Sequence, residues 1–194
     1  IVNTFGDNAV AGFATAVKLN VFAISCVSTV CNSISSFAAQ NAGAGNIKRI
    51  KQGFNHGLLI VGIVTVPFMV AFLLFPNELV GIFMDSEDAK NFEAIAIGAQ
   101  YLKIVVPFYG AVVLKLSADA ILRGTASMRE FMIATFTDLI LRVIFAYILS
   151  PHFGVTGVWI SWPIGWVVAS AMSLAYYFTG HWKKIVEDNV TQKK

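Results

Sequence analysis

The chain has 194 residues, of which 57% are hydrophobic and only 13% are charged. A typical soluble domain is about 45–50% apolar and about 25% charged, so this composition excludes a soluble globular fold and indicates an integral membrane protein. The formal net charge of +3 arises at the ends of apolar runs, where lipid headgroups favour it. The sequence has no basic stripe with interleaved aromatics, which argues against nucleic acid as a partner.

Several apolar segments are long enough to cross the core of a lipid bilayer, which takes roughly 20 helical residues. The first, over residues 10–40, exceeds one crossing and is expected to tilt or to extend past the headgroups. The other predicted spans are residues 54–75, 94–122, 131–149 and 155–179. Residues 1–182 are therefore predicted to form an all-α transmembrane lobe, and residues 183–194 a polar, disordered tail.

The connections between these spans alternate in charge. The basic residues that follow the first, third and fifth spans are Lys48, Arg49, Lys51, Arg123, Arg129, Lys183 and Lys184. The acidic residues that follow the second span are Glu78, Asp85, Glu87 and Asp88. Because loops rich in Lys and Arg stay in the cytoplasm, the alternation predicts a multi-pass protein of the plasma or inner membrane with a cytoplasmic C-terminus.

One face of the first span is polar. Its residues recur at i, i+7, i+11, i+14 and i+18, the spacing of a single helical face, and they are Lys18, Ser25, Thr29, Asn32 and Ser36. A polar face within hydrocarbon must contact protein or water. Hydrogen bonding to a neighbouring helix explains Ser25 and Thr29 as well as a substrate cavity does, whereas Lys18 and Asn32 favour the cavity.

Prolines and aromatic residues give a second, weaker indication of a cavity. Pro67, Pro107 and Pro163 fall within predicted spans, where each removes one backbone donor and bends its helix. Kinked helices are common around transport cavities, although irregular packing accounts for any single proline equally well. Phe108 and Tyr109, next to Pro107, could contact an organic cation through their rings.

Two pairs of opposite charge lie within predicted spans at i, i+4 spacing. Lys115 and Asp119 are neighbours on the third span, where Arg123 continues the row, and Asp138 and Arg142 are neighbours on the fourth. An ionisable residue inside a membrane suggests function, whereas a compensated pair that reaches toward the surface suggests a structural role. Asp119 and Asp138 are therefore the candidate ion-coupling residues, with structural ion pairs as the alternative.

Signatures of enzymes are missing from the sequence: HExxH, a GK[ST] phosphate loop, an aspartate-rich diphosphate motif and GxSxG. The 3 histidines are scattered, and no group has the spacing of metal ligands. We therefore predict no catalytic residue, metal or cofactor. A membrane-embedded enzyme is the alternative from a different class, and the polar face and the prolines disfavour a purely structural subunit.

Three motifs resemble those of the multidrug and toxin extrusion (MATE) family. The most specific is Gln40–Gly45 (QNAGAG) at the end of the first span; Leu122–Gly124 (LRG) and Gly154–Trp159 (GVTGVW) agree in order and spacing. In physical terms, two polar residues would satisfy carbonyls at a helix end and two glycines would permit a left-handed turn. These residues are Gln40, Asn41, Gly43 and Gly45, and Arg123 and Gly124 complete the set of structural motif residues.

The resemblance implies a twelve-helix transporter of two six-helix lobes, in which substrate binds between the lobes and inward flow of Na+ or H+ drives alternating access. This chain would supply the end of helix seven and helices eight to twelve, so its expected partner is an N-terminal lobe on the same or a separate polypeptide. We expect export of small organic cations. The alternative is a flippase for lipid-linked precursors, whose cavity should hold several unpaired cations, and only Lys18 is a clear case here.

The sequence departs from the family at one point. Some members carry a coupling carboxylate midway along helix ten, but the matching stretch Phe108–Leu114 contains no acid, and Asp119 lies nearer the cytoplasmic end. Ion coupling is therefore expected to depend on the first lobe. Loss of gradient-driven efflux in an Asp119→Asn variant of the full transporter would contradict that expectation.

Overall fold

The computed structural model describes residues 2–84 and 89–191, and its regular structure within those ranges is entirely helical. The α-helices are α1 (Asp7–Gly43), α2 (Ile47–Leu74), α3 (Pro76–Gly81), α4 (Ala89–Val105), α5 (Tyr109–Gly124), α6 (Met128–Phe153), α7 (Val155–Thr179) and α8 (His181–Thr191). Among the described residues, 5 segments are long and apolar enough to cross a membrane, and one of them, Phe92–Gly124, contains most of α4 together with α5. The predicted all-α fold with five spans is confirmed.

Helices α1, α2 and α6 are longer than the apolar runs that predicted them, whereas α7 has the predicted bounds, residues 155–179. Helix α1 has 37 residues, so it is roughly 55 Å long at 1.5 Å per residue, against a hydrocarbon core of about 30 Å. Helix α6 covers Met128–Phe153, several residues beyond each end of its predicted span. A helix continues into the headgroup region as long as its backbone pairs internally, so hydropathy locates the spans better than it locates their ends.

Prolines have different effects at different positions. Pro107 lies in the short 3-10 segment Val106–Phe108, which separates α4 from α5 within the third span. Pro76 begins α3, where its missing N–H costs nothing because the first helical donors have no intrahelical acceptor. Pro67 and Pro163 lie inside α2 and α7.

The C-terminal segment is helical as far as Thr191, so the prediction of a disordered tail is wrong for that part. Trp182 and Val186 of α8 are 1% exposed, and with Val190 they recur every fourth residue, which makes an apolar stripe on a polar helix. Residues 192–194 of the predicted tail lie outside the described residues, as do Asp85, Glu87 and Asp88 of the predicted acidic loop.

The chain divides into two compact units, each assembled from three separate stretches. The first unit comprises Ile1–Ser25, Thr65–Tyr109 and Leu139–Gly165. The second unit comprises Cys26–Val64, Gly110–Asp138 and Trp166–Lys194. Helices α1, α2, α6 and α7 each contribute residues to both units, so the units are not sequence-contiguous domains.

Aromatic side chains fill the interior of the first unit. The Phe13 ring meets the Tyr101 ring edge-on, with centroids 5.2 Å apart, and Tyr101 meets Trp162 in the same way at 5.8 Å. The backbones of α1 and α4 also approach closely at Gly12, where an added Cβ would overlap the carbonyl of Ala94. Edge-to-face rings and a glycine contact fix the register of these helices.

The second unit contains a ladder of stacked rings. Phe54 of α2 stacks on Tyr177 of α7 with centroids 4.2 Å apart, and Tyr177 stacks in turn on Trp182 of α8 at 5.8 Å. The Trp182 indole N–H donates to the Tyr177 carbonyl at 2.9 Å, so the buried ring has its polar atom paired. Helix α8 is thereby fixed to the membrane-spanning part of this unit.

Candidate functional site

The polar face of α1 is exposed along its whole length. Its members are Lys18, Ser25, Thr29, Asn32 and Ser36. The opposite side of the same helix is buried, at Ala16, Leu19, Ala23, Val27, Cys31, Ile34 and Ala38. Sequence periodicity identified the polar face only, and this face points away from the interiors that the described residues form.

The polar face of α1 and the LRG motif of α5 meet at Asn32. The Arg123 guanidinium donates to the Asn32 side-chain oxygen at 3.3 Å, and the Ser36 hydroxyl donates to the Asn32 carbonyl at 3.1 Å. Arg123 also lies over the Phe131 ring, 5.5 Å from its centroid, which is a cation–π distance. Arg123 therefore connects the end of α5 to the polar face of α1.

Gly124 permits that connection. A Cβ at this position would overlap the carbonyl oxygen of Ser35 and lie 2.7 Å from the Ala38 Cβ. Any larger residue would push the end of α5 away from α1 and separate Arg123 from Asn32. The Arg-Gly pair therefore works as a unit, in which the glycine allows the approach and the arginine makes the polar contact.

The QNAGAG segment closes the turn between α1 and α2. The Asn41 amide donates to the Phe37 carbonyl at 2.8 Å, while the Asn41 carbonyl accepts the Asn46 N–H at 2.8 Å. Gln40 is exposed, and its carbonyl accepts the Ala44 N–H at 3.3 Å. Of the two glycines, Gly45 has the left-handed backbone, with φ at +69°, whereas Gly43 is the last residue of α1. The left-handed turn thus requires Gly45 rather than Gly43.

This difference predicts unequal effects of alanine at the two glycines. We expect Gly45→Ala to lower the unfolding free energy by about 1–3 kcal/mol, because its Cβ would be held at positive φ. That Cβ would also lie 3.2 Å from the Val190 Cγ2 of α8. Gly43→Ala is the matched control, since nothing lies within 4 Å of its Cβ. Thermal unfolding of the purified full protein measures both, and equal losses would contradict the assignment.

The charged pair on α5 forms, but it is buried rather than extended toward a surface. The Lys115 ammonium contacts the Asp119 carboxylate at 2.6 Å, with side chains 9% and 2% exposed. The Ser173 hydroxyl of α7 donates to the other Asp119 oxygen at 2.6 Å. Both oxygens of this carboxylate are therefore paired within the second unit. Sequence reasoning missed Ser173 because it is one of many small residues on an apolar helix.

The other pair lies on α6. Asp138 is buried, and the Arg142 guanidinium lies over the Trp162 ring of α7, 4.6 Å from its centroid. An aromatic face near a guanidinium lowers the cost of holding that charge away from water. Each of these two charged residues makes polar or electrostatic contacts within the chain.

The two aromatic residues after Pro107 have different surroundings. Phe108 is 40% exposed, whereas Tyr109 is 2% exposed and its hydroxyl donates to the Asn20 side-chain oxygen at 2.9 Å. Asn20 is fully buried and lies off the polar face of α1, two residues after Lys18. An asparagine within an apolar run was the available signal for this contact, but its partner could not be read from α1 alone.

The sequence and the fold, with membrane-length helices and a polar face, are similar to those of known membrane transporters. The MatE family model matches residues 1–148. The probable multidrug resistance protein YpnP of Bacillus subtilis (strain 168) is 26% identical over 184 residues, which is 94% of this chain and 40% of the relative. The probable multidrug resistance protein NorM of Pseudomonas syringae pv. tomato is 29% identical over 147 residues, covering 74% of this chain and 31% of the relative.

Solved structures agree on the fold. An inward-facing multidrug resistance MATE family transporter of the MOP superfamily superimposes with a TM-score of 0.79 at 20% identity, over 93% of this chain and 43% of that one. A MATE protein in complex with MaL6 gives a TM-score of 0.83 at 20% identity, over 94% of this chain and 40% of that one.

The architecture is thus that of a multi-pass helical membrane protein, and its relatives are named as multidrug resistance proteins and transporters rather than enzymes. The chain belongs to the MATE family, as its motifs predicted. It spans 40% of the length of the YpnP relative and 31% of the NorM relative.

Proposed function

We propose that this chain forms most of one lobe of a secondary active transporter, which exports small organic cations in exchange for Na+ or H+ by alternating access. Membership of the MATE family and the multidrug resistance names of its relatives support this proposal. The observation that carries it is the exposed polar face of α1, on a helix long and apolar enough to cross a membrane.

The same face supports the proposed partner. Polar side chains at membrane depth are costly against lipid, so a water-filled cavity bounded by further protein is the favourable surrounding. A further lobe, on the same polypeptide or a separate one, would supply the opposite wall of that cavity. The partial coverage of the relatives is consistent with this arrangement. The basic residues that follow the first, third and fifth spans support a cytoplasmic C-terminus, since loops rich in Lys and Arg stay in the cytoplasm.

Cysteine labelling tests whether the polar face of α1 borders water. In the full protein, with Cys26, Cys31 and any cysteine outside this chain replaced by alanine, we expect Ser25→Cys to react at least about tenfold faster than Leu59→Cys with a charged, membrane-impermeant thiol reagent, since thiolates form only in water. Leu59 is the matched control because it is 63% exposed near the middle of the apolar helix α2. An excess of ethidium, an organic cation, should protect Ser25→Cys alone.

Equally slow reaction at both positions would mean that lipid or packed protein covers the polar face, and the cavity would be abandoned. Transport itself is measured with the full protein in proteoliposomes, as ethidium movement driven by an imposed inward Na+ or H+ gradient. We expect one of the two gradients to drive it. Ethidium movement that responds to neither gradient would contradict ion-coupled export.

A further inference from the structure

A groove of about 480 Å³ runs between α1 and α2 within the second unit. It lies to one side of the polar face, because it is lined by Val30, Ile34 and Phe37 rather than by the polar-face residues of α1. From α2 the lining extends from Arg49 at one end of the groove to Ile60 at the other. None of the transport residues proposed above belongs to it.

Two glycines on α2 allow side chains of α1 to pack directly against the α2 backbone. A Cβ at Gly53 would lie 2.5 Å from Cε1 of Phe37, and one at Gly57 would lie 2.5 Å from Cδ1 of Ile34. Because these side chains fit against bare backbone, α1 and α2 are held close together along the groove. The groove is therefore a fixed feature of the helix pair.

The groove changes from polar to apolar along its length. Arg49 is the third residue of α2 and lies beside the turn from α1, so it belongs at a membrane surface. Gln52 and His56 follow it on the same side of the helix. Ile60, eleven residues after Arg49, is roughly 16 Å deeper at 1.5 Å per residue, and Val30 faces the groove from α1.

The Arg49 guanidinium has capacity for an anion. It lies 5.9 Å from the Phe37 ring centroid, and among residues 2–84 and 89–191 no carboxylate is within ion-pair distance of it. A guanidinium matches the geometry of a phosphate with two parallel hydrogen bonds. Lys48 and Lys51 are exposed next to it and raise the local positive potential.

We propose that this groove binds an anionic phospholipid, with the phosphate on Arg49 and one acyl chain along the apolar end between Val30 and Ile60. The charge at the surface end and the apolar lining at the deep end together match an amphiphile that lies parallel to the helices. The site is a second binding surface, independent of the transported substrate and of the direction of transport.

Native mass spectrometry of the full protein tests the site with phosphatidylglycerol and phosphatidylcholine that carry the same acyl chains. We expect phosphatidylglycerol to be retained preferentially, and Arg49→Gln to weaken its binding by about tenfold or more, the value of one charge-assisted hydrogen bond. Lys51→Gln is the matched control, because it removes the same charge two residues away from a side chain outside the groove. We expect less than about a threefold change there.

A second variant addresses the acyl chain. Ser33 is exposed in the groove wall, so Ser33→Trp should fill the deep part and reduce retention of both lipids without changing thermal unfolding in lipid-free detergent. Equal retention of the two lipids by the unaltered protein, or equal losses in Arg49→Gln and Lys51→Gln, would overturn the proposal in favour of diffuse surface charge. Absence of any retained lipid would mean that protein covers the groove, which overturns it as well.

Discussion

Replacing Lys115 with methionine is expected to lower the unfolding free energy by about 3–5 kcal/mol, the usual cost of removing one partner from a buried ion pair. Asp119 is 2% exposed, so its carboxylate would lose the ammonium at 2.6 Å and keep only the Ser173 hydroxyl. Thermal or denaturant unfolding of the purified protein measures the loss. Lys103→Met on α4 is the control, because Lys103 is exposed and should matter by less than about 0.5 kcal/mol.

The double variant Lys115→Met/Asp119→Leu should recover most of that stability. Apolar replacement of both partners removes the buried charge together with its desolvation cost, and such replacements are often neutral or stabilising. A double variant as unstable as Lys115→Met alone would show that the loss comes from packing around α5 and α7 rather than from the unpaired carboxylate.

The same double variant separates a structural Asp119 from an ion-coupling one. If the pair only holds α5 against α7, the folded double variant keeps its gradient-driven transport. If Asp119 carries the coupling ion, the protein folds but transport no longer responds to the gradient. We expect transport to persist, because both carboxylate oxygens are already occupied by Lys115 and Ser173.

Alanine at Gly12 is expected to destabilise the first unit by about 3 kcal/mol, at the upper end of the usual cost of overpacking. The new Cβ would overlap the backbone carbonyl of Ala94, which cannot turn away as a side chain could. Gly98 lies at the same contact, since its own Cβ would be 2.7 Å from the Gly12 carbonyl oxygen. Helices α1 and α4 would have to separate.

Gly62→Ala is the matched control for this change. It lies within α2, and nothing is within 4 Å of its Cβ, so alanine should be neutral or slightly stabilising through its better helix propensity. The measurement is the unfolding midpoint of both variants in the same detergent. A Gly12→Ala variant as stable as Gly62→Ala would show that α1 and α4 are not in backbone contact.

Sequence reasoning located the spans because length and hydropathy are sufficient for that purpose. It could not tell which side of an apolar helix is buried, since lipid-facing and protein-facing residues are equally apolar. Leu59 and Ile63 are 63% and 62% exposed, while Val61 between them is fully buried. A polar face distinguishes the two sides of a helix, and α1 is the helix for which the sequence analysis described one.

The sequence also did not predict which side chains on different helices contact each other. The i, i+4 spacing predicted the Lys115–Asp119 contact, but its burial depends on α7, and nothing in the α5 sequence specifies Ser173. Tyr109 was chosen for its position beside Pro107, yet its surroundings depend on Asn20. The segment that forms helix α8 was predicted to be a disordered tail because most of its residues are polar. The apolar stripe that packs it against the second unit consists of only three residues, Trp182, Val186 and Val190.

Because the stretches of the two units alternate along the sequence, the two units can be completed at different times during synthesis. The first unit can be completed once Gly165 has left the ribosome, whereas the second also needs Trp166–Lys194. Until α8 has been synthesised, Tyr177 lacks the Trp182 ring that stacks on it, and the aromatic ladder stays open. A nascent chain therefore passes through a stage at which one unit can already pack while the other still presents apolar surface to chaperones and quality-control proteases.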